Sequence, residues 1–327
     1  MKIKHLMVAL AATLSCLGAQ AASSINLGNY QVTATYGLGI LGNTSTGVSG
    51  LEASAVTYAR DRGTLFVVGD EGTGVVEVSL TGQTLGTMAF NWAGTGSSNH
   101  DTEGLTYLGN GVLVVSEERL YDAYRFSYSA NGTANLASSG VSISNATVGN
   151  NGLEGLSYDP RNGSFVTVKQ DAPEDIRSGT LSFGNNLGGV ANTSTLFNPT
   201  LMGLSTLSDV QTLSPIDALA GTAAADNLLV LSLGSRKLVE VNRQGQVLST
   251  FDLSNVLPHN GIEGVTVDEK GTIYLVAEQI QDGFGPANPQ SQLIVLSAMA
   301  AVPEPESCVI ALMGLGLLGF LSRRQKR

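Results

Sequence analysis

Runs of four to six consecutive β-forming residues recur along the chain in GTLFVVGDE, GVLVVSEER, GSFVTVKQD, NLLVLSLGS and GTIYLVAEQ. An unbroken apolar run of that length, bounded by turn residues, predicts a strand covered on both faces. Segments such as GVVEVSLTG, AYRFSYSANG, GTLSFGN, KLVEVNRQG and SQLIVLSA follow them. Several of these alternate apolar and polar positions, the pattern of a strand covered on one face. A further strand-like segment closes four of the units, in TLGTMAFNW, LASSGVSIS, NTSTLFN and VLSTFDLS.

A strand also precedes each buried run, and it opens on an acid: Glu52 in LEASAVTYA, Glu103 in TEGLTYLG, Glu154 in LEGLSYD, Asp209 in LSDVQTLS and Glu263 in IEGVTVD. Successive acids lie 51, 51, 55 and 54 residues apart. Four strands per repeat, with no long helical period between them, predict an all-β fold, a β-propeller of four-stranded blades. The fifth unit lacks a fourth strand. The N-terminal NYQVTATYGLG, residues 29–39, is expected to supply it and close the ring, protecting both edges. Five blades follow; six is the alternative, with residues 184–206 as the only stretch long enough for another, and that stretch lacks the Glu-Gly opening.

The stretches EASAVTY, GTLFVVGDEGTGVVEVSLTGQTL, DTEGLTYLGNGVLVVSEER, NNGLEGLSYD and GIEGVTVDEKGTIYLVAE resemble the SdiA-regulated, YjiK-type β-propeller family of bacterial exported proteins, over residues 29–297. Departures are local, among them Ala53 and Ala55 in the first repeat and Gln170 where an acid is common. The resemblance implies a propeller with an acidic site, and an association of some members with calcium. It implies no particular reaction.

The ends carry different signals. Lys2 and Lys4, an apolar run over residues 6–18 and Ala19-Gln20-Ala21 have the form of a secretory signal peptide, residues 1–21. The propeller domain is expected over residues 22–300. At the other end VPEPES, with Pro303, Glu304 and Pro305, precedes an apolar run at 308–321 and the basic tail SRRQKR, with Arg323 and Arg324. This order resembles the PEP-CTERM sorting signal, residues 301–327, and implies recognition by an exosortase-type membrane protease. Fourteen helical residues reach about 21 Å, short of a normal span. The segment suits a transient transmembrane anchor with its arginines on the cytoplasmic side; a retained single-pass anchor has the same requirements. The expected location is the periplasm, outer envelope or extracellular surface.

Between residues 22 and 302 the 17 basic residues fall to 11 and the 27 acidic to 25, a net charge of −14. That balance argues against nucleic acid and anionic membranes as partners. Both cysteines, Cys16 and Cys308, lie in the terminal signals, so the domain is expected to hold without disulfides. The two GxGxxG matches, at residues 37–42 and 314–319, join no strand to a helix and carry no nucleotide signal.

Inner strands of a propeller line its channel, so Glu52, Glu103, Glu154, Asp209 and Glu263 are expected on one ring. Asp70, Glu71, Glu117, Glu118, Asp171 and Glu278 form a second tier at the ends of the buried strands. Two carboxylates about 4 Å apart repel by about 4 kcal/mol at an effective dielectric near 20. Calcium relieves such crowding with six to eight oxygen ligands; hydrogen bonds that fix the blades in register are the alternative use of the same acids. His100 and His259 stand just before repeat acids and read as solvated rim residues. With no paired histidines or cysteines in the domain, zinc is not expected. The function indicated is a calcium-associated binding or scaffold module facing a polysaccharide, protein or small ligand. The alternative is a metal-dependent hydrolase of phosphoesters or lactones, which needs a cation for the leaving oxyanion; Arg119, Lys169 and Arg236 are the candidates.

Overall fold

Each predicted apolar run forms the second strand of a sheet, with a continuous buried core in all five. The computed structural model describes residues 23–38, 48, 52–70, 72–144, 149–171, 173–279 and 290–299. The expected signal peptide, the sorting segment with its apolar run, and Glu71 lie outside the described residues. Among those described, no helix is long and apolar enough to cross a membrane. The chain divides into two units, residues 1–297 and 298–327.

Five sheets make five blades. Blade one is β2 (Glu52–Ala59), β3 (Thr64–Asp70), β4 (Gly74–Val78) and β5 (Thr84–Asn91); blade two is β6 (Leu105–Gly109), β7 (Val112–Glu117), β8 (Asp122–Ser127) and β10 (Gly140–Ser142). Between them β9 (Thr133–Asn135) adds in parallel to the outer edge of β5. Blade three runs through β11 (Leu153–Asp159), β12 (Ser164–Lys169), β13 (Asp175–Ser182) and β14 (Val190–Thr195), and blade four through β15 (Asp209–Thr212), β16 (Leu228–Ser232), β17 (Lys237–Val241) and β18 (Val247–Asp252). Blade five takes β19 (Ile262–Val267), β20 (Ile273–Ala277) and β21 (Gln292–Ala298), and β1 (Tyr30–Gly37) completes it. The N-terminal strand closes the ring as the sequence predicts. The 184–206 stretch holds β14 and a short 3-10 turn at Pro199–Met202, and adds no sixth blade.

The core is divided among the five blade interfaces. Leu65, Val67 and Val76 of blade one meet Tyr274, Val276 and Leu293 of blade five, for example, and Val166 and Val168 of blade three meet Leu228 and Val230 of blade four. Strands buried on both faces are therefore those sandwiched between neighbouring blades.

A belt of hydrogen bonds joins the inner strands β2, β6, β11, β15 and β19. The Thr57 hydroxyl accepts the Tyr107 amide (3.1 Å), Thr106 accepts Tyr158 (3.0 Å), Ser157 accepts Thr212 (3.0 Å), and Thr266 accepts Tyr58 (3.0 Å). Gln211 closes the circuit, its Oε1 accepting from the Thr266 hydroxyl at 3.1 Å. Each bond crosses to the next blade, which fixes the blades in one register.

Candidate functional site

The belt and the strand pairing together set which residues are equivalent. Ala55 pairs with Val68, Gly155 with Val168, Asp209 with Leu231 and Gly264 with Val276, and each stands two residues before its belt residue, as Gly104 stands before Thr106. One residue earlier stand Ser54, Glu103, Glu154, Ser208 and Glu263. The frame is thus ASAV, TEGL, LEGL, LSDV and IEGV, with three glutamates and two serines on the ring. The expected ring of five equivalent acids is not what the strands build, because Glu52 lies two residues upstream of the ring position, beside a β-bulge at Ala53/Ala55, and Asp209 stands where three other blades carry glycine.

Asp209 fills that place with a distinct role. Its Oδ1 accepts its neighbour's amide at Val210 (2.7 Å) and its Oδ2 accepts the Val265 amide of blade five (2.8 Å). Burial raises its carboxyl well above the usual range, against those two amides. The carboxylate staples blade four to blade five.

Glu103, Glu154 and Glu263 do meet electrostatically. Burial raises the Glu103 carboxyl well above the usual carboxylate range, and Glu154, Glu263, Asp70 and Asp101 add to it. Glu154 is raised by burial, then by Glu118, with which it shares a hydrogen bond, and by Glu263 and Asp101. Glu263 is raised by burial, then by Glu278, Asp70 and Glu52, while the Ser54 hydroxyl opposes the shift. Among the described residues no hydrogen-bond donor reaches the Glu103 carboxylate. Glu240 shows what a fully buried carboxylate otherwise collects: it accepts from Ser24 Oγ (2.5 Å), the Ile25 amide (3.0 Å), Asn227 Nδ2 (2.8 Å) and Ser249 Oγ (2.8 Å).

Among the described residues, Asp70, Asp101 and Glu103 form a group whose carboxylate oxygens lie within 4.8 Å of one another. Backbone anchoring brings them together. The Thr102 hydroxyl donates to Gly69 O (2.5 Å), holding the approach to β6 against the end of β3, and the Glu118 amide donates to Asp101 O (3.0 Å). Burial and then the Glu118 charge raise the Asp101 carboxyl, against a hydrogen bond with Asp70 and the guanidinium of Arg119. Arg119 Nε donates to Asp101 Oδ2 at 2.5 Å.

Glu118 enters this cluster and also accepts the Gly152 amide at 3.0 Å, whereas Glu117 turns elsewhere. Glu117 accepts from Ser97 Oγ and the Leu120 amide, both at 2.7 Å, and braces the 97–120 turns. Glu52 pairs across β2 and β3 with Asp70, and Glu278 lies beside Glu263. Asp171 is exposed. His100 stacks on Trp92 with ring centres 5.1 Å apart. Asp101 carries no repeat signal and was legible only as the residue two before a repeat acid. Of the expected site residues, Glu52, Asp70, Glu103, Glu118, Glu154, Glu263 and Glu278 gather at one mouth of the channel, and Asp209 and Glu117 serve the framework.

Fold and site together define a five-bladed β-propeller with a carboxylate-rich channel mouth. The chain belongs to the SdiA-regulated family, whose model matches residues 29–279. A PEP-CTERM protein-sorting motif matches residues 301–327, which makes this an exported, envelope-associated protein processed by an exosortase-type system. Solved structures similar to the chain include luciferin-regenerating enzyme (9% identity over 82% of this chain and 96% of that one, TM-score 0.47). Others are the glutaminyl cyclase of Myxococcus xanthus (13%, 82% and 95%, TM-score 0.45) and a nidogen/laminin complex (14%, 69% and 74%, TM-score 0.44).

Proposed function

We propose that the channel mouth holds calcium and that the protein is a non-enzymatic binding or scaffold module of the envelope, presenting that rim to an extracellular polysaccharide, protein or small ligand. The observation that carries this reading is the convergence of Asp70, Asp101 and Glu103 within 4.8 Å around a carboxylate to which no described donor is directed. Oxygens bound to one calcium at about 2.4 Å lie no more than about 4.8 Å apart, a bound these three meet. The donor set is oxygen only, as a hard cation requires. Asp70, Asp101 and Glu103 would hold the ion, with Glu154, Glu263 and Glu278 adding negative potential. When bound, calcium supplies charge neutralisation and a fixed point to which carboxylate or hydroxyl groups of a partner attach.

The arrangement favours a binder over a hydrolase. Arg119 is engaged by Asp101, Lys169 donates to the carbonyls of Asp171 and Pro173, and Arg236 donates to the carbonyls of Asn260, Val256 and Leu257. None of the three is available for a leaving oxyanion. An N-terminal signal peptide at residues 1–21 and brief anchoring through residues 308–321 complete the proposed route of export.

Calorimetric titration of the purified protein with calcium at pH 7.5 is expected to show binding, and Glu103→Gln to weaken it by about tenfold or more. Because the site carboxyls bind protons more tightly than usual, affinity should fall as the pH is lowered from 7.5 to 5.5. No heat of binding in the parent protein removes the calcium reading; binding unchanged by Glu103→Gln moves the ion elsewhere.

A further inference from the structure

The inner strands end at a second feature, remote from the carboxylates at their starts. A cavity of about 530 Å³ opens there, lined by residues of all five blades and therefore on the channel axis. Its size is that of small-molecule sites.

Three half-buried tyrosines, Tyr58, Tyr107 and Tyr158, contribute to its lining from blades one, two and three. Each ring is held from behind: Tyr58 stacks on Tyr274 (6.5 Å between centres), Tyr107 on Phe66 (5.9 Å), and Tyr158 packs against Phe165 (5.1 Å). Hydroxyls of Thr57, Thr106 and Thr266 also line the cavity, but the interblade belt already uses them. The Gln211 amide is spent in the same way, its nitrogen donating to Thr212 O at 2.7 Å.

The charges in the lining are unequal. Arg60 is held by both oxygens of Asp217 at 2.8 Å, which leaves its guanidinium committed. Asp61 and Glu269 are acidic, and Oε2 of Glu269 is buried with no hydrogen-bond partner. Glu269 is nevertheless ionised: against burial, the Tyr58 hydroxyl and the charges of Lys270 and Arg60 hold its carboxyl below the usual range. Arg60, Asp61 and Glu269 together leave the lining with a net charge of −1 (one positive, two negative), which favours a cation at the Glu269 carboxylate. Aromatic faces beside it attract positive charge.

We propose that this cavity binds a small organic cation with an N–H donor, a primary or secondary amine, whose ammonium group meets Glu269 and whose carbon body lies against the tyrosines. An anionic ligand finds no uncommitted cation among these lining residues. A neutral polyol finds the Thr57, Thr106, Thr266 and Gln211 side chains engaged by the belt and gains no charge attraction to Glu269.

The test compares benzylamine, protonated at neutral pH, with benzyl alcohol, its neutral counterpart of the same shape, by calorimetry on the purified protein in excess calcium. Benzylamine is expected to bind at least about tenfold more tightly than the alcohol. Glu269→Gln, with an unchanged unfolding midpoint, is expected to remove that preference, and Tyr158→Leu to lower amine affinity several-fold. Equal affinity for amine and alcohol, no amine binding at millimolar concentration, or a preference that survives Glu269→Gln in a folded protein would overturn the proposal.

Discussion

Buried carboxylates in this protein divide by what surrounds them. Glu240 collects four donors within 3.0 Å and Asp209 two amides, so each is satisfied by the fold. Asp122 sits between these and the channel cluster: burial raises its carboxyl to about 6, against hydrogen bonds from Ser142 and Tyr124, with Glu117 adding to the rise. The native state therefore holds this proton more tightly than the unfolded chain, whose aspartates titrate near 3.8. That contribution to stability is full below about pH 4 and is lost as the pH rises through about 6. Asp122→Asn is expected to raise stability at pH 7 by up to about 3 kcal/mol and to flatten the slope between pH 4 and 6. Urea unfolding across that range measures both, and an unchanged slope would contradict the assignment.

At the scale of the strand, the repeating apolar runs made blades legible, because strands sandwiched between neighbours must be apolar on both faces. The register of the acids was not legible by matching charge to charge. Leu207-Ser208-Asp209-Val210 follows the same apolar frame as Leu153-Glu154-Gly155-Leu156, but the acid sits one place later. In blade one Glu52 stands two places early and Ser54 takes the bulged position that Glu154 and Glu263 hold in blades three and five. Aligning the apolar residues that flank the acid, rather than the acid itself, would have found both. Asp101 escaped because it belongs to a connection, anchored by Thr102, and to no repeat. The glycine of the frame reflects close approach between inner strands: a Cβ on Gly155 would lie 2.4 Å from Asp209 Oδ1 and 2.7 Å from its Cα. Gly155→Ala is expected to cost about 1–3 kcal/mol, since the contact includes neighbouring backbone. An unchanged midpoint in urea would show that the blades separate more easily than this packing implies.

For the molecule as a whole, the hydrogen-bonded belt divides the channel between two chemistries. The strand starts crowd carboxylates, and the strand ends carry tyrosines beside Asp61 and Glu269. A closed ring with β1 as the last strand of blade five makes both mouths products of all five blades; the five-bladed count was readable from spacing, acidity from composition and export from the terminal signals, while the two ends of the channel depend on how the strands pair in three dimensions. The sorting motif makes this module an exported, envelope-associated protein. Diffraction from crystals grown with calcium, recorded for anomalous scattering, locates any ion at the channel mouth. A peak bounded by Asp70, Asp101 and Glu103 is the predicted result; an ordered channel mouth with no peak there, or with calcium held only at other residues, would contradict it.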